Sequence, residues 1–135
     1  MTTTWKNGAA LLAEVKWNAE GHVPAVVQDV DTRQVLTLCY LTREALEKTL
    51  ATGTVYVYRR SLKKLMQKGE TSGHIQLVRE VLVDCEGKSL VFLVKQHVAA
   101  CHTGYFTCYF RRLSKDGTMK TIGKKIFNPD EVYRR

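Results

Sequence analysis

Short apolar runs separated by polar turn residues dominate the chain. The runs are rich in β-branched and aromatic residues, and Gly, Asp, Ser and Lys fill the stretches between them. Such runs are typical of strands. The predicted strands are residues 25–29, 35–40, 54–59, 75–83, 90–96 and 105–112. The pattern therefore predicts a mainly β protein with a few short helices, in the β-rich α+β class.

One helix is predicted between the second and third strands. Thr42 suits the N-cap because its hydroxyl can accept early amide protons, and Glu44 puts a negative charge in the first turn. Leu46 and Leu50 lie four residues apart and share one face. Gly53 supplies the stop, so the helix is expected to run to about residue 52.

The remaining segments are less regular. Residues 61–67 are expected to be helical or irregular, and residues 114–117 to form a turn. An edge strand is predicted at 119–127. Asn128 followed by Pro129 has the cap-then-proline order that opens a short helix.

Length and composition indicate one globular domain. The chain has 135 residues, of which 44% are hydrophobic and 25% charged. We predict a domain over residues 1–113 and a C-terminal extension over 114–135, which packs on the same domain or on a dimer partner. A domain this short buries about two-thirds of its unfolded surface, so further burial in a dimer would stabilise it.

Charge and hydropathy indicate which kinds of binding partner the protein can have. The first eight residues are polar, and no stretch approaches the roughly 20 apolar residues of a membrane span. We therefore expect a cytoplasmic protein with reduced thiols and no membrane partner. The net charge of +8 suits a phosphorylated small molecule as well as nucleic acid. A solvated basic surface explains the C-terminal pairs more simply, so nucleic acid is the less favoured partner.

Three of the cysteines match the number of protein ligands in a catalytic zinc site. Fifteen residues separate Cys85 from Cys101, and six separate Cys101 from Cys108. A catalytic zinc takes three protein ligands and leaves a fourth position open. Cysteines are also common as small buried apolar residues, so their spacing alone does not decide between the two interpretations. The fourth, Cys39, lies in an apolar run and is predicted to be a core residue without a metal.

Three motifs in one order make the chain similar to a known family. Lys68-Gly69-Glu70-Thr71-Ser72-Gly73 is followed by Asp84-Cys85-Glu86-Gly87 and by Cys101-His102-Thr103-Gly104. The resemblance, which includes upstream segments, extends from about residue 15 to residue 111 and is to phosphoribosyl-AMP cyclohydrolase. Several motifs in one order are more specific than any single motif. The upstream segments are residues 23–29, residues 40–46 and Arg60-Ser61.

The resemblance implies a zinc-dependent enzyme of histidine biosynthesis. Such enzymes open the adenine ring of phosphoribosyl-AMP at the N1–C6 bond, and zinc can lower the pKa of water from 15.7 to about 7. An intertwined homodimer is implied, with metal sites at the interface. Cys101 and Cys108 of one subunit and Cys85 of the other would hold zinc. His102 is the implied proton carrier, because an imidazole titrates near 6.5.

A magnesium site and a substrate loop are implied as well. Asp84 and Glu86 would bind magnesium, but Lys88 stands where a third acidic ligand is usual and would weaken the site. The glycine-rich loop offers amides, hydroxyls and a lysine to phosphate oxygens. The predicted substrate-binding residues are Arg60, Ser61, Lys68, Gly69, Glu70, Thr71, Ser72 and Gly73.

Other departures leave alternatives open. The family pattern has arginine where Leu62 stands, tryptophan at Met66, asparagine at His74 and a charged pair at Tyr105-Phe106. Arginine binds phosphate bidentately, which leucine cannot do. One alternative is therefore a metallohydrolase that acts on another purine nucleotide. The second is a non-enzymatic, zinc-stabilised module that binds nucleic acid through its basic surface, with a steep salt dependence.

Overall fold

The computed structural model describes residues 4–5 and 7–133 of the chain. Mainly strands are found, with three short helices in the described part, which confirms the predicted fold class. The helices are α1 (Ala9–Glu14), α2 (Arg43–Thr52) and α3 (Pro129–Val132). The strands are β1 (His22–Asp29), β2 (Val35–Thr42), β3 (Tyr56–Arg59), β4 (Lys64–Gln67), β5 (Gln76–Val83), β6 (Leu90–Gln96), β7 (Arg111–Leu113) and β8 (Met119–Thr121).

A four-stranded sheet in the order β2-β1-β6-β5 forms the frame. The central pair β1 and β6 is parallel, and each pairs antiparallel with its outer neighbour. Val27 and Phe92 are register partners in the central pair, and both are fully buried. Full burial of such side chains stabilises each by about 1.5–3 kcal/mol relative to exposure, so the central strands carry the core.

Helix α2 begins and ends where the sequence predicts. The Thr42 hydroxyl accepts the Ala45 amide proton at 3.2 Å, and Gly53 closes the helix with φ 75°. The helix packs Leu46 into the core and is tied to β3 by Thr49, whose hydroxyl accepts the Tyr56 amide proton at 2.9 Å. This fixes β3 and its partner β4 next to the main sheet.

The prediction for residues 61–67 was wrong in its second half. Residues 64–67 form β4, which pairs antiparallel with β3 so that Tyr56 faces Gln67 and Arg59 faces Lys64. Lys63, with φ 49°, makes the turn between the two strands. The strand depends on its partner, and that pairing is not visible in the local sequence.

The predicted strand at 105–112 is also largely wrong. Tyr105 makes an isolated bridge to Lys125, residues 106–108 bend, and a regular strand begins only at Arg111 of β7. The Tyr105 and Phe110 rings stack at 3.8 Å between centroids and 6° between planes. Residues five apart point to opposite faces of a strand, so this stacking requires the chain to fold back.

The chain beyond residue 113 is partly as predicted. The turn at 114–117 joins β7 to β8, where the Ser114 amide donates to Thr118 and the Gly117 amide to Ser114. The strand expected at 119–127 stops at residue 121. Asn128 caps α3 as predicted, its side-chain oxygen accepting the Asp130 amide proton at 3.0 Å. In the described part of the chain, every helix is too short or too polar to cross a bilayer.

Candidate active site

A cavity of about 540 Å³ opens between β2, the β3–β4 hairpin and the loop that follows β4. Segment 99–102 and the end of α3 also reach it. Its walls are mixed, with aromatic, cationic, hydroxyl and apolar side chains. The predicted binding or catalytic residues that line it are Arg60, Lys68, Gly69, Glu70, Thr71, Ser72 and His102. Ser61 and Gly73 do not line it.

The glycine-rich loop is held in shape by its own hydrogen bonds. The Gly73 amide donates to the Gly69 carbonyl at 2.7 Å, and the Glu70 carboxylate accepts the Gln67 amide proton at 3.2 Å. Gly69 has φ 88°, and a Cβ there would lie 2.5 Å from the His74 backbone. Any larger residue at 69 would therefore push the loop off β5.

Positive charge predominates at the cavity wall. Arg59, Arg60 and Lys68 line it, against a single carboxylate, Glu70, among the described lining residues. The Arg60 guanidinium lies 4.4 Å from the centre of the Tyr40 ring, a cation–π contact that orients it. Oriented guanidinium and ammonium groups suit phosphate oxygens.

Two of the three predicted zinc ligands meet in the chain. Cys101 is 5% exposed and Cys108 half-buried, and the Cys101 thiol is near enough to raise the pKa of Cys108. Burial raises the pKa of the Cys108 thiol, Thr37 lowers it through a hydrogen bond, and charge on Cys101 raises it again. A cation is the natural partner of two adjacent thiolates, so this pair fits a soft metal such as zinc.

Cys85 does not join this pair within the chain. It is exposed in the turn after β5, and no group of three metal-binding side chains occurs among residues 4–5 and 7–133. Cys101 and Cys108 make their hydrogen bonds away from the turn that carries Cys85. The Cys101 thiol lies 2.8 Å from the Thr103 hydroxyl, and the Cys108 amide donates to the Leu36 carbonyl on β2. One chain thus supplies two of the three thiols at any one place.

His102 connects the thiol pair to the cavity. It follows Cys101 directly, is exposed, and lines the cavity together with the neighbouring Ala100. An imidazole in this position can exchange protons with a bound molecule and with solvent.

The acidic residues around Cys85 are engaged in the loop itself. The Asp84 carboxylate accepts the amide protons of Glu86 and Lys88, each at 2.9 Å, and the Ser89 hydroxyl proton at 2.7 Å. These bonds, led by that of Ser89, lower the pKa of Asp84. Lys88 forms an ion pair with Glu86 at 3.1 Å. The lysine therefore neutralises one of the two predicted magnesium ligands.

Some cavity residues were missed by sequence reasoning. Tyr133 reaches the cavity from the C-terminal extension, and Cys39 lines it while also packing against the core. Burial raises the pKa of Cys39 to about 12, which keeps that thiol protonated. Of the departures from the family pattern, Met66 and His74 line the cavity, whereas Leu62 is 53% exposed outside it. In the sequence, the helix-opening Asn128 was the local sign of order nearest to Tyr133.

Comparisons with known proteins identify the family. The model of the phosphoribosyl-AMP cyclohydrolase family matches residues 37–110. Proteins named phosphoribosyl-AMP cyclohydrolase are similar over most of the chain. The one from Pelotomaculum thermopropionicum is 51% identical over 90% of this chain and 95% of its own length. Those from Methanospirillum hungatei and Chlorobium chlorochromatii are 45% and 41% identical, over 96% and 98% of this chain and 96% and 97% of their own. The family predicted from the motifs is thereby confirmed, and the chain belongs to the phosphoribosyl-AMP cyclohydrolase family.

Proposed function

We propose that the protein hydrolyses the N1–C6 bond of the adenine ring of phosphoribosyl-AMP, in the cytoplasm and as a step of histidine biosynthesis. The observation that carries the proposal is one cavity with a cationic wall and a histidine beside a pair of thiols. The cations, Arg59, Arg60 and Lys68, suit a phosphorylated ligand, and His102 suits proton transfer. Family membership supports the same substrate.

Substrate binding is assigned to the hairpin and the loop after it. Arg60 and Lys68 attract the phosphates, and the Thr71 and Ser72 hydroxyls face the same cavity. Internal hydrogen bonds already order the glycine-rich loop in the free protein, so less conformational entropy is lost when a ligand binds. Met66 and the aromatic side chains leave room for the purine.

The reaction adds water across one bond. Oxygen from water becomes bonded to C6 of the neutral 6-imino ring, one water proton goes to the exocyclic nitrogen to complete a carboxamide, the C6–N1 bond breaks, and the other water proton ends on N1. His102 is assigned to take that proton and return it to N1. Zinc held by Cys101, Cys108 and the Cys85 of the other subunit would supply Lewis acidity, which lowers the pKa of water to about 7.

Zinc is proposed to sit between two chains. Cys101 and Cys108 would come from one subunit and Cys85 from the other, because Cys85 is exposed and apart from the pair. Leu82 and Val83, just before Cys85 on the edge strand β5, are 49% and 38% exposed. Apolar residues on an open sheet edge favour association with another chain. A homodimer would bury them and bring the third thiol.

Turnover of phosphoribosyl-AMP is the direct test. Ring opening, followed spectrophotometrically on protein of known zinc content, should occur with the unmodified protein and fall by about 10²–10⁴-fold in His102→Ala. Protein that keeps its zinc but turns over another purine nucleotide and not phosphoribosyl-AMP would contradict the proposed substrate. Salt-dependent nucleic-acid binding without any turnover would contradict an enzyme altogether.

Magnesium is proposed to bind weakly at Asp84 and Glu86. The Asp84 carboxylate is already engaged in loop hydrogen bonds, and Glu86 is paired with Lys88. A divalent ion would have to displace the ammonium from Glu86 and share the Asp84 oxygens. Activity of the unmodified protein should therefore depend little on magnesium.

Lys88→Asp should make the protein respond to magnesium. The change removes a repelling charge and adds a carboxylate at the third acidic position, so the affinity for magnesium should rise by at least about tenfold even with solvent screening. Magnesium titration of the turnover rate measures it, and zinc content should not change.

Lys115→Asp is the matched control. It makes the same charge change at an exposed position in the turn between β7 and β8. An equal magnesium response in both variants would mean that net charge, and not the Asp84 loop, is responsible. A micromolar requirement in the unmodified protein would show that Lys88 does not weaken the site.

A further inference from the structure

The C-terminal segment 124–133 is built onto the loop that carries Cys101 and His102. Lys125 pairs with Tyr105 in an antiparallel bridge, and the Ile126 amide donates to the Gly104 carbonyl at 2.8 Å. Gly104 has φ 108°, and a Cβ there would lie 2.8 Å from the Phe127 carbonyl oxygen. The close approach of the two backbones requires glycine at 104, so this loop and the segment are fitted to each other.

Aromatic contacts connect segment 124–133 to side chains that line the cavity. The Phe127 ring packs edge-on against the His74 ring, 4.8 Å between centroids and 84° between planes, and lies 6.3 Å from the Tyr133 ring. His74 and Tyr133 both line the cavity. Phe127 thus joins two cavity side chains that lie far apart in the sequence.

Helix α3 fixes the position of Tyr133. Asn128 caps its first turn, Pro129 occupies the start, and the Tyr133 amide donates to the Pro129 carbonyl at 2.8 Å. Short and local as they are, these bonds set the direction in which the chain leaves the helix.

The three tyrosines that line the cavity have different neighbours at their rings. Tyr40 has the Arg60 guanidinium over its face at 4.4 Å, and the Tyr58 ring lies 5.0 Å from that of His22. Among the described residues, the ring contact found for Tyr133 is the tilted one to Phe127. A flat aromatic ring that lines a cavity suits a planar ligand.

His74 adds a second sign that the cavity takes a ligand here. Its Nδ1 atom is buried and lacks a hydrogen bond of ordinary geometry among the described residues, although the Ala99 backbone is near enough to oppose the lowering of the imidazole pKa by burial. A buried polar atom without a full hydrogen bond is destabilising, and a polar group of a ligand could supply that bond. This atom and the Tyr133 ring belong to one connected group, His74, Phe127 and Tyr133.

We propose that Tyr133 stacks on the purine base of the bound nucleotide and that Phe127 is its positioning residue. The inference rests on the proposed function only in taking a purine nucleotide as the ligand. The cations of the cavity wall already suit the phosphates, and a neutral aromatic ring suits the base. The C-terminal extension is then part of the binding site and determines its preference for an aromatic ligand.

Binding of AMP and of ribose 5-phosphate, measured by calorimetry, tests the proposal without requiring turnover. AMP carries the base and ribose 5-phosphate does not. Tyr133→Ala should weaken AMP binding by about tenfold to a hundredfold, and ribose 5-phosphate binding by less than about twofold. Tyr133→Phe should keep both affinities, because it retains the ring. Phe127→Ala should reproduce the selective loss through the misplaced tyrosine.

Met119→Ala, in the same extension but 58% exposed on β8, is the control and should change neither affinity. Thermal unfolding of each variant checks that the fold is retained. An unchanged AMP affinity in Tyr133→Ala, an equal loss for both ligands, or no AMP binding by the unmodified protein would each overturn the proposal. If the unmodified protein fails to turn over phosphoribosyl-AMP while Tyr133→Ala still loses AMP selectively, the proposed reaction fails and the stacking role stands.

Discussion

Replacing Cys101 with serine is expected to abolish both zinc binding and turnover. Cys101 is 5% exposed and its thiol is near enough to raise the pKa of Cys108, so the change removes one of two neighbouring sulfur donors. A serine hydroxyl does not ionise near neutral pH and is a poor zinc ligand. Metal analysis of the unmodified protein should give about one zinc per subunit, and the variant should retain almost none.

Cys39→Ala is the matched control for metal content. The Cys39 thiol donates to the Ala25 carbonyl at 3.6 Å, and burial raises its pKa to about 12. This thiol is bonded to a main-chain carbonyl of β1 and is not part of the Cys101–Cys108 pair, so it is not expected to bind zinc. The control should therefore keep full zinc, and a Cys101→Ser variant that also kept full zinc would contradict the ligand assignment.

Features of the fold that depend on neighbouring residues could be predicted from the sequence. Both ends of helix α2 were predicted correctly, because Thr42 and Gly53 act within one turn of the residues they cap. The cap of α3 at Asn128 was correct for the same reason. Local hydrogen bonds can be recognised from the sequence because donor and acceptor are a few residues apart.

Features that depend on distant partners could not be predicted. Strand β4 exists because it pairs with β3, and the break in the predicted strand at 105–112 exists because loop 101–108 bonds to β2 and the Tyr105 ring folds back on Phe110. The apolar and aromatic residues at 105–112 are compatible both with a strand and with a packed loop. Tertiary contacts, not propensity, determine which one forms.

The same distinction between local and distant contacts applies to the residues of the candidate site. The glycine-rich loop could be recognised as a binding loop because its residues are contiguous. Tyr133 could not, because it reaches the cavity through contacts of Phe127 and Gly104 that span more than twenty residues of sequence. The meeting of the Cys101 and Cys108 thiols likewise depends on how the loop between them folds back.

Refolding Cys85→Ser and Cys101→Ser chains together is expected to restore activity that neither variant has alone. If Cys85 serves the thiol pair of the other subunit, each heterodimer has one intact site and one doubly defective site. Random pairing gives heterodimers for about half of the dimers, so activity should reach about a quarter of that of the unmodified protein. Differently tagged chains allow the heterodimer to be isolated and its zinc counted.

Cys101→Ser mixed with Cys108→Ser is the control that gives this result its meaning. Both changes strike the same half of the proposed site, so each site in that heterodimer lacks one thiol of the pair and no activity should return. A site built within one chain would give no recovery in either mixture. Heterodimers of Cys85→Ser and Cys101→Ser that form but stay inactive would therefore place all three thiols in one subunit, which would require Cys85 to move from its exposed turn to the buried pair.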